Sequence, residues 1–240
     1  MAVDPLHAKT IVIVGGTSGI GLAVAEAALA QGAKVVVASS QPASVDSALK
    51  RLGGGAEGHT IDVHDEASVA GVFERIGALD HLVFTAGDWG AFRGGPLADL
   101  DLEAAKAALG VRFWGALAVV KHAHGRVAEG GSITLTDGMM AHRPMKGAAL
   151  STAMLGAIEY LTRGLAVDLA PIRVNAVCPG LVMTERNGAM PAAAVERYTV
   201  RLPLARGADP AEVAEAYLYL MRGGYTTGQV LRVDGGGSVV

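Results

Sequence analysis

Short β-branched runs alternate along this chain with longer, alanine-rich stretches of helical period. Thr10–Val14 is a compact apolar run and predicts a strand. Residues 20–31 carry Leu22, Val24 and Leu29 at helical spacing, and Gly32 ends that helix. A second strand is expected at 34–38, a third at 58–63, a helix at 67–76 and a fourth strand at 81–85. After a loop at 86–96, a long helical stretch runs from about 101 to 124, followed by a fifth strand at 132–136. A second long helix, 148–169, stops at Pro171, and a sixth strand, 172–178, is broken by Pro179 and Gly180. A helix at 210–221 and a seventh strand, Val230–Val233, complete the pattern.

Strands separated by helices imply parallel pairing through right-handed crossovers. The expectation is therefore an α/β fold of about seven parallel strands, with residues 1–240 forming a single domain. No linker or internal repeat interrupts it. Residues 185–205 are the least regular and read either as a lid over a ligand or as a surface excursion with a short helix.

Composition narrows the function classes. The formal net charge is −3 and the basic residues are scattered, so no nucleic-acid partner is expected. No apolar stretch is long and unbroken enough to span a bilayer, and the N-terminus lacks a signal-peptide pattern. The single cysteine, Cys178, excludes an internal disulfide and suits a reducing, cytoplasmic setting; it reads as a small buried residue at a strand end. Alanine and glycine dominate the hydrophobic half of the chain. Close packing between copies, as a homodimer or homotetramer, is the corresponding expectation.

The first chemical signal is Gly15-Gly16-Thr17-Ser18-Gly19-Ile20-Gly21, placed between a strand and a helix. Gly15 permits a tight turn, Gly19 lets backbone approach a pyrophosphate, and Gly21 allows close helix–strand packing. A helix N-terminus there offers free N–H groups and partial positive charge to a phosphate. A purely structural glycine turn is the competing reading of this motif alone.

Further motifs make the chain resemble the short-chain dehydrogenase/reductase family from about Thr10 to Ser238. The glycine loop matches the family's TGxxxGxG, with Val14 in place of threonine. Asp62-Val63 looks like the family's adenine-contacting pair, and Phe84-Thr85-Ala86-Gly87 stands where it has NNAG. Ile172 to Gly180 follows IRVNxVxPG, and Thr226-Thr227-Gly228 with Asp234-Gly235-Gly236 follows the C-terminal signature. The resemblance implies a Rossmann-type doubly wound sheet. It assigns cofactor contacts to Gly15, Thr17, Ser18, Gly19, Ile20 and Gly21, to Ser39, Ser40, Asp62 and Val63, to Thr85, Ala86 and Gly87, and to Pro179, Gly180, Val182 and Thr184. The second strand ends in Ser39-Ser40-Gln41, with no carboxylate to hold the ribose hydroxyls of NAD; NADP(H) is therefore preferred over NAD(H).

The same alignment exposes a gap. The family's proton-transfer tyrosine and lysine fall at Ser151 and Leu155, its serine at Gly138 and its asparagine at Arg112. Tyr160 does not restore the motif, because it points to roughly the opposite helix face and reads as a packing residue. Ser151 without a neighbouring base is too weak an acid.

Two charged residues remain as candidates. Arg112 would anchor a carboxylate or a developing oxyanion, and Asp137, read as an anion, would stabilise a cationic substrate or orient Arg112. A structural salt bridge between them is the bland alternative. Asp88, Trp89, His142, Arg143 and Lys146 flank the same region; Trp89 would stack on a flat or cationic ligand, and His142 would shuttle protons. His122 and His124 do not share a face, so no metal site is expected. Three readings follow: a reductase of an imine or activated carbonyl, which needs less acid help than a ketone; an inactive dinucleotide-binding sensor or subunit; and a cofactor-assisted isomerase or cyclase.

Overall fold

A computed structural model describes residues 5–88, 94–188 and 190–240. Its frame is one seven-stranded sheet in the order β3-β2-β1-β4-β5-β6-β7, every pair parallel. The strands are β1 (Thr10–Val14), β2 (Lys34–Ser39), β3 (Ala56–Thr60), β4 (Leu79–Phe84), β5 (Val127–Thr136), β6 (Arg173–Pro179) and β7 (Val230–Val233). The chain reverses direction across the sheet between β1 and β4, and this reversal opens a crevice at the carboxyl ends of the strands.

Alternation along the buried strands divides the core between two faces. Ile11 and Ile13 of β1 pack with α1 (Gly19–Ala30) and α9 (Pro210–Arg222) on one face. Val12 and Val14 point the other way, onto a cluster containing Phe73 of α3 (Glu66–Ile76), Val119 of α5 (Ala116–Ala123) and Ile158 of α6 (Ala149–Asp168). No helix among the described residues is long and apolar enough to cross a membrane.

Several boundaries differ from the sequence reading, each for a physical reason. The helix α2 (Pro42–Leu52) was not anticipated, because only Val45 and Ala48 of it are buried and its apolar signal is thin. The third strand lies at Ala56–Thr60 rather than 58–63, since its register against β2 pairs Val35 with Ala56 and Ser39 with Thr60. Ile61 is buried after the strand has ended. The fifth strand begins early, at Val127, where pairing with Leu79 precedes a register shift.

The stretch expected as one helix, 101–124, is divided. It comprises α4 (Leu102–Leu109), a π-helical segment (Gly110–Gly115) and α5, then a 3-10 turn at His124–Arg126. Glycines bracket the wider segment where neighbours crowd in: a side chain at Gly110 would meet His64, and one at Gly115 would meet Val63. Single-turn π segments recur at functional sites, and this one carries Arg112. Residues 185–205 contain α7 (Glu185–Gly188) and α8 (Ala192–Thr199).

A buried hydroxyl chain ties three elements together beneath the crevice. Thr136 Oγ1 donates to the Phe84 carbonyl at 2.6 Å and accepts from the Tyr217 hydroxyl at 2.7 Å. Tyr217 on α9 is fully buried. Tyr217→Phe is expected to lower stability by about 1 kcal/mol, read as a lower urea midpoint at unchanged slope; an unaltered midpoint would show that the bond contributes nothing.

Candidate active site

The crevice is a cleft of about 900 Å³, within the range of ligand sites. One wall is the glycine loop after β1. Gly15 has φ +91°, and a side chain on it would drive into the backbone of Ala86; one on Gly21 would strike the Gly15 carbonyl. These positions require glycine so that the loop can fold flat against β4. Ser18 caps α1 with extended backbone and makes no side-chain bond to the first turn, leaving its N–H groups directed at the cleft. The Gly19 N–H takes a carboxylate oxygen of Glu185 at 3.3 Å. An anion from the chain's own α7 thus sits at the helix N-terminus, which fits the donor set to a phosphate.

The remaining cofactor candidates gather around the same space. Thr17 and Ile20 complete the loop, Ser39 and Ser40 close the end of β2, and Asp62 and Val63 follow β3. The Asp62 carboxylate accepts the His64 N–H at 2.9 Å, which holds that turn. Thr85, Ala86 and Gly87 form the floor after β4, and Pro179, Gly180, Val182 and Thr184 the far side after β6. Thr85 Oγ1 donates back to the Val14 carbonyl at 3.3 Å, locking floor to loop.

Arg112, Asp137, Gly138 and Leu155 share the cleft wall; Ser151 is buried on α6 and is not part of the described lining. Leu155 Cδ1 lies 3.2 Å from where a Gly138 side chain would begin, so apolar surface covers this stretch of wall. Arg112 packs across Gly87, where any side chain would collide with its guanidinium. Among the described residues, Tyr198 of α8 is the one tyrosine that lines the cleft, and no lysine does.

Asp137 departs from its expected charge state. It is 2 % exposed, and neither carboxylate oxygen has a well-formed hydrogen bond. Burial pushes its pKa up to about 8, and the Glu159 carboxyl beside it pushes the same way; the Gly138 N–H and the Cys178 thiol offset this only in part. The expected anion is thus a neutral acid at neutral pH, because an unpaired charge is not stable in so dry a place.

Glu159 was not singled out in the sequence. It lies on α6 four residues past Leu155 and eight past Ser151, so it continues the helix face that looks at the sheet. An acid at a buried helical position was the available signal. Its Oε1 is 2.6 Å from His142 Nε2, and its Oε2 is 3.7 Å from Arg163. Asp137, His142 and Cys178 offer donor atoms all within 4.8 Å of one another. Burial, then Asp137, raises the Cys178 pKa far above its usual range, so the thiol stays protonated, and Glu159 already engages His142.

Other expectations change as well. Trp89 lies outside the described residues. Tyr160 is not a packing residue: it is 72 % exposed, with Arg163 over its ring at 4.8 Å. His142 is drawn inward to Glu159, Arg143 donates to the Gly237 carbonyl at 3.0 Å, and Lys146 is exposed. Cys178 is buried in β6 as expected. His122 and His124 have separate partners, Glu66 and the backbone of Val120 and Lys121. From residues 185–205, read as either a lid or a surface excursion, Glu185, Asn187 and Tyr198 reach the cleft; Met139, Met140 and Met145 add an apolar side that no sequence motif marked.

Comparison with known proteins agrees with this architecture. The profile described as enoyl-(acyl carrier protein) reductase matches residues 14–238. The short-chain dehydrogenase/reductase ATR9 of Stachybotrys chlorohalonatus is 36 % identical, over 96 % of this chain and 97 % of that one. The MalC Reductase/Diels-Alderase from Malbranchea aurantiaca superposes with a TM-score of 0.91 at 33 % identity, covering 99 % of each chain. A small-chain dehydrogenase solved in complex with NADPH gives 0.79 at 35 % identity, over 97 % of this chain and 99 % of that one. With the seven-stranded parallel sheet and the glycine loop in place, this chain belongs to the short-chain dehydrogenase/reductase family.

Proposed function

We propose that this chain is an NADPH-preferring reductase whose proton comes from Asp137 rather than from a tyrosine–lysine pair, and whose substrates are imines or activated carbonyls. The observation that carries the reading is Asp137, buried in the cleft wall with its pKa raised by burial and by the Glu159 carboxyl, beside Gly138 and Leu155, where the family resemblance leads one to expect polar residues. When bound, the nicotinamide supplies a hydride. Asp137 holds a proton at its carboxyl oxygen and gives it to an imine nitrogen, then stands as a carboxylate beside the resulting cation. This restores the electrostatic role expected of the anion, one step later. Arg112, which lies across Gly87 in the cleft wall, is the cation offered to a carboxylate or carbonyl oxygen of the substrate.

The NADPH preference is supported by Ser39 and Ser40, which line the cleft where β2 ends in Ser39-Ser40-Gln41 with no acidic residue, and by likeness to a dehydrogenase solved with NADPH. A second reading, cyclisation assisted by the same pocket, is supported by likeness to the MalC Reductase/Diels-Alderase. A small-molecule substrate, self-association as a dimer or tetramer and a cytoplasmic setting complete the proposal. Exposed Leu102, Trp114, Tyr160 and Val167 favour self-association.

Fluorescence titration is expected to show NADPH binding roughly tenfold more tightly than NADH, with both lost in Gly15→Ala. Equal affinities would remove the preference, and binding of neither would remove the reductase reading. With methylpyrroline or a vicinal diketone as acceptor, Asp137→Asn and Arg112→Ala should each slow NADPH oxidation by on the order of a hundredfold. Unchanged turnover in both variants would place the chemistry elsewhere; tight NADPH binding without wild-type turnover would favour a binding protein.

A further inference from the structure

An acid sealed inside the protein works once unless something returns its proton. When cofactor and substrate fill the cleft, they also cover Asp137 on its cleft side, and the carboxyl itself is almost wholly buried. A second way to solvent leads off behind it. Glu159 lies beside Asp137, and its Oε1 is 2.6 Å from His142 Nε2, a close approach in which neither atom makes a well-formed hydrogen bond. The Glu159 side chain is itself 9 % exposed, whereas that of His142 is 23 % exposed and is not part of the cleft lining. The row therefore runs from the cleft wall, through a buried carboxyl, to an imidazole edge open to water.

We propose that Glu159 and His142 form the proton-return path that reloads Asp137 from solvent after each turnover. This rests on the reading of Asp137 as the acid. In the forward step the Asp137 O–H bond breaks as the substrate N–H or O–H bond forms. His142 Nδ1 takes a proton from water as its Nε2 gives one to a Glu159 oxygen, Glu159 gives one to Asp137, and exchange of the ring with water restores the starting tautomer. One proton enters from solvent for each hydride delivered, and no further reactant is needed.

The surroundings suit transfer rather than a fixed charge. Arg163 approaches Glu159 Oε2 at 3.7 Å and is half exposed, so solvent screens this pair. Cys178 of β6 and the Gly138 N–H face Asp137 from the sheet, and Tyr217 of α9 is bonded away to Thr136. Arg143, next to His142, is engaged by the Gly237 carbonyl. Asp234 acts on Cys178 and is itself held by the Ser238 and Gly236 N–H groups.

The test follows the proton directly in the NADPH-loaded protein. The protonated Asp137 carboxyl has a carbonyl stretch identified as the infrared band missing from Asp137→Asn, and rapid mixing into heavy water shifts it as the proton exchanges. The expected result is exchange slowed roughly tenfold or more in both His142→Ala and Glu159→Gln, with added imidazole restoring the rate in His142→Ala alone. Unchanged exchange in both variants, with the wild-type band present, overturns the path while leaving Asp137 as the acid. A wild-type protein with no such band overturns both.

Discussion

Asp137 and Glu159 bring two carboxyl groups together behind a wall that water barely reaches, and two charges cannot both persist there. The consequence spreads outward. One carboxyl must keep a proton at neutral pH, the thiol of Cys178 is driven the same way, and His142 is drawn from the surface to Glu159. Leu155 packs against Gly138 beside Asp137, and Asp137 itself is almost wholly buried, which favours its neutral form.

The sheet makes this possible by fixing where each piece emerges. Asp137 leaves β5 directly beneath the cleft, while Arg112 arrives on a π-helical segment that glycines allow to widen. The hydroxyl chain from Tyr217 through Thr136 to Phe84 holds β5 against β4 and α9 at the level of Asp137. The position of Asp137 therefore derives from buried contacts on rigid strands rather than from the loops that surround the opening.

Much of this was legible in the sequence. The strands of the buried centre announce themselves as β-branched runs, and the order of glycine loop, Asp62-Val63, Thr85-Ala86-Gly87 and Pro179-Gly180 marks the ends that meet at one cleft. Edge elements were harder. The strand at Ala56–Thr60 is held by pairing with β2 rather than by apolar composition, and α2 buries too little to stand out. The raised pKa of Asp137 left no mark in the sequence because it depends first on burial and then on Glu159, twenty-two residues away. A carboxylate's neighbours across a fold leave no periodic trace along the chain; only the unusual acid on the inward face of α6 hinted at it.

The central claim is that Asp137 is a neutral acid at the pH where the protein works. An infrared titration of its carboxyl band, taken as the difference between the native chain and Asp137→Asn, measures this without any substrate. The acid band should persist through neutrality and vanish only as pH rises through about 8. A band already gone at neutral pH, with its midpoint in the ordinary carboxylate range, would contradict the account.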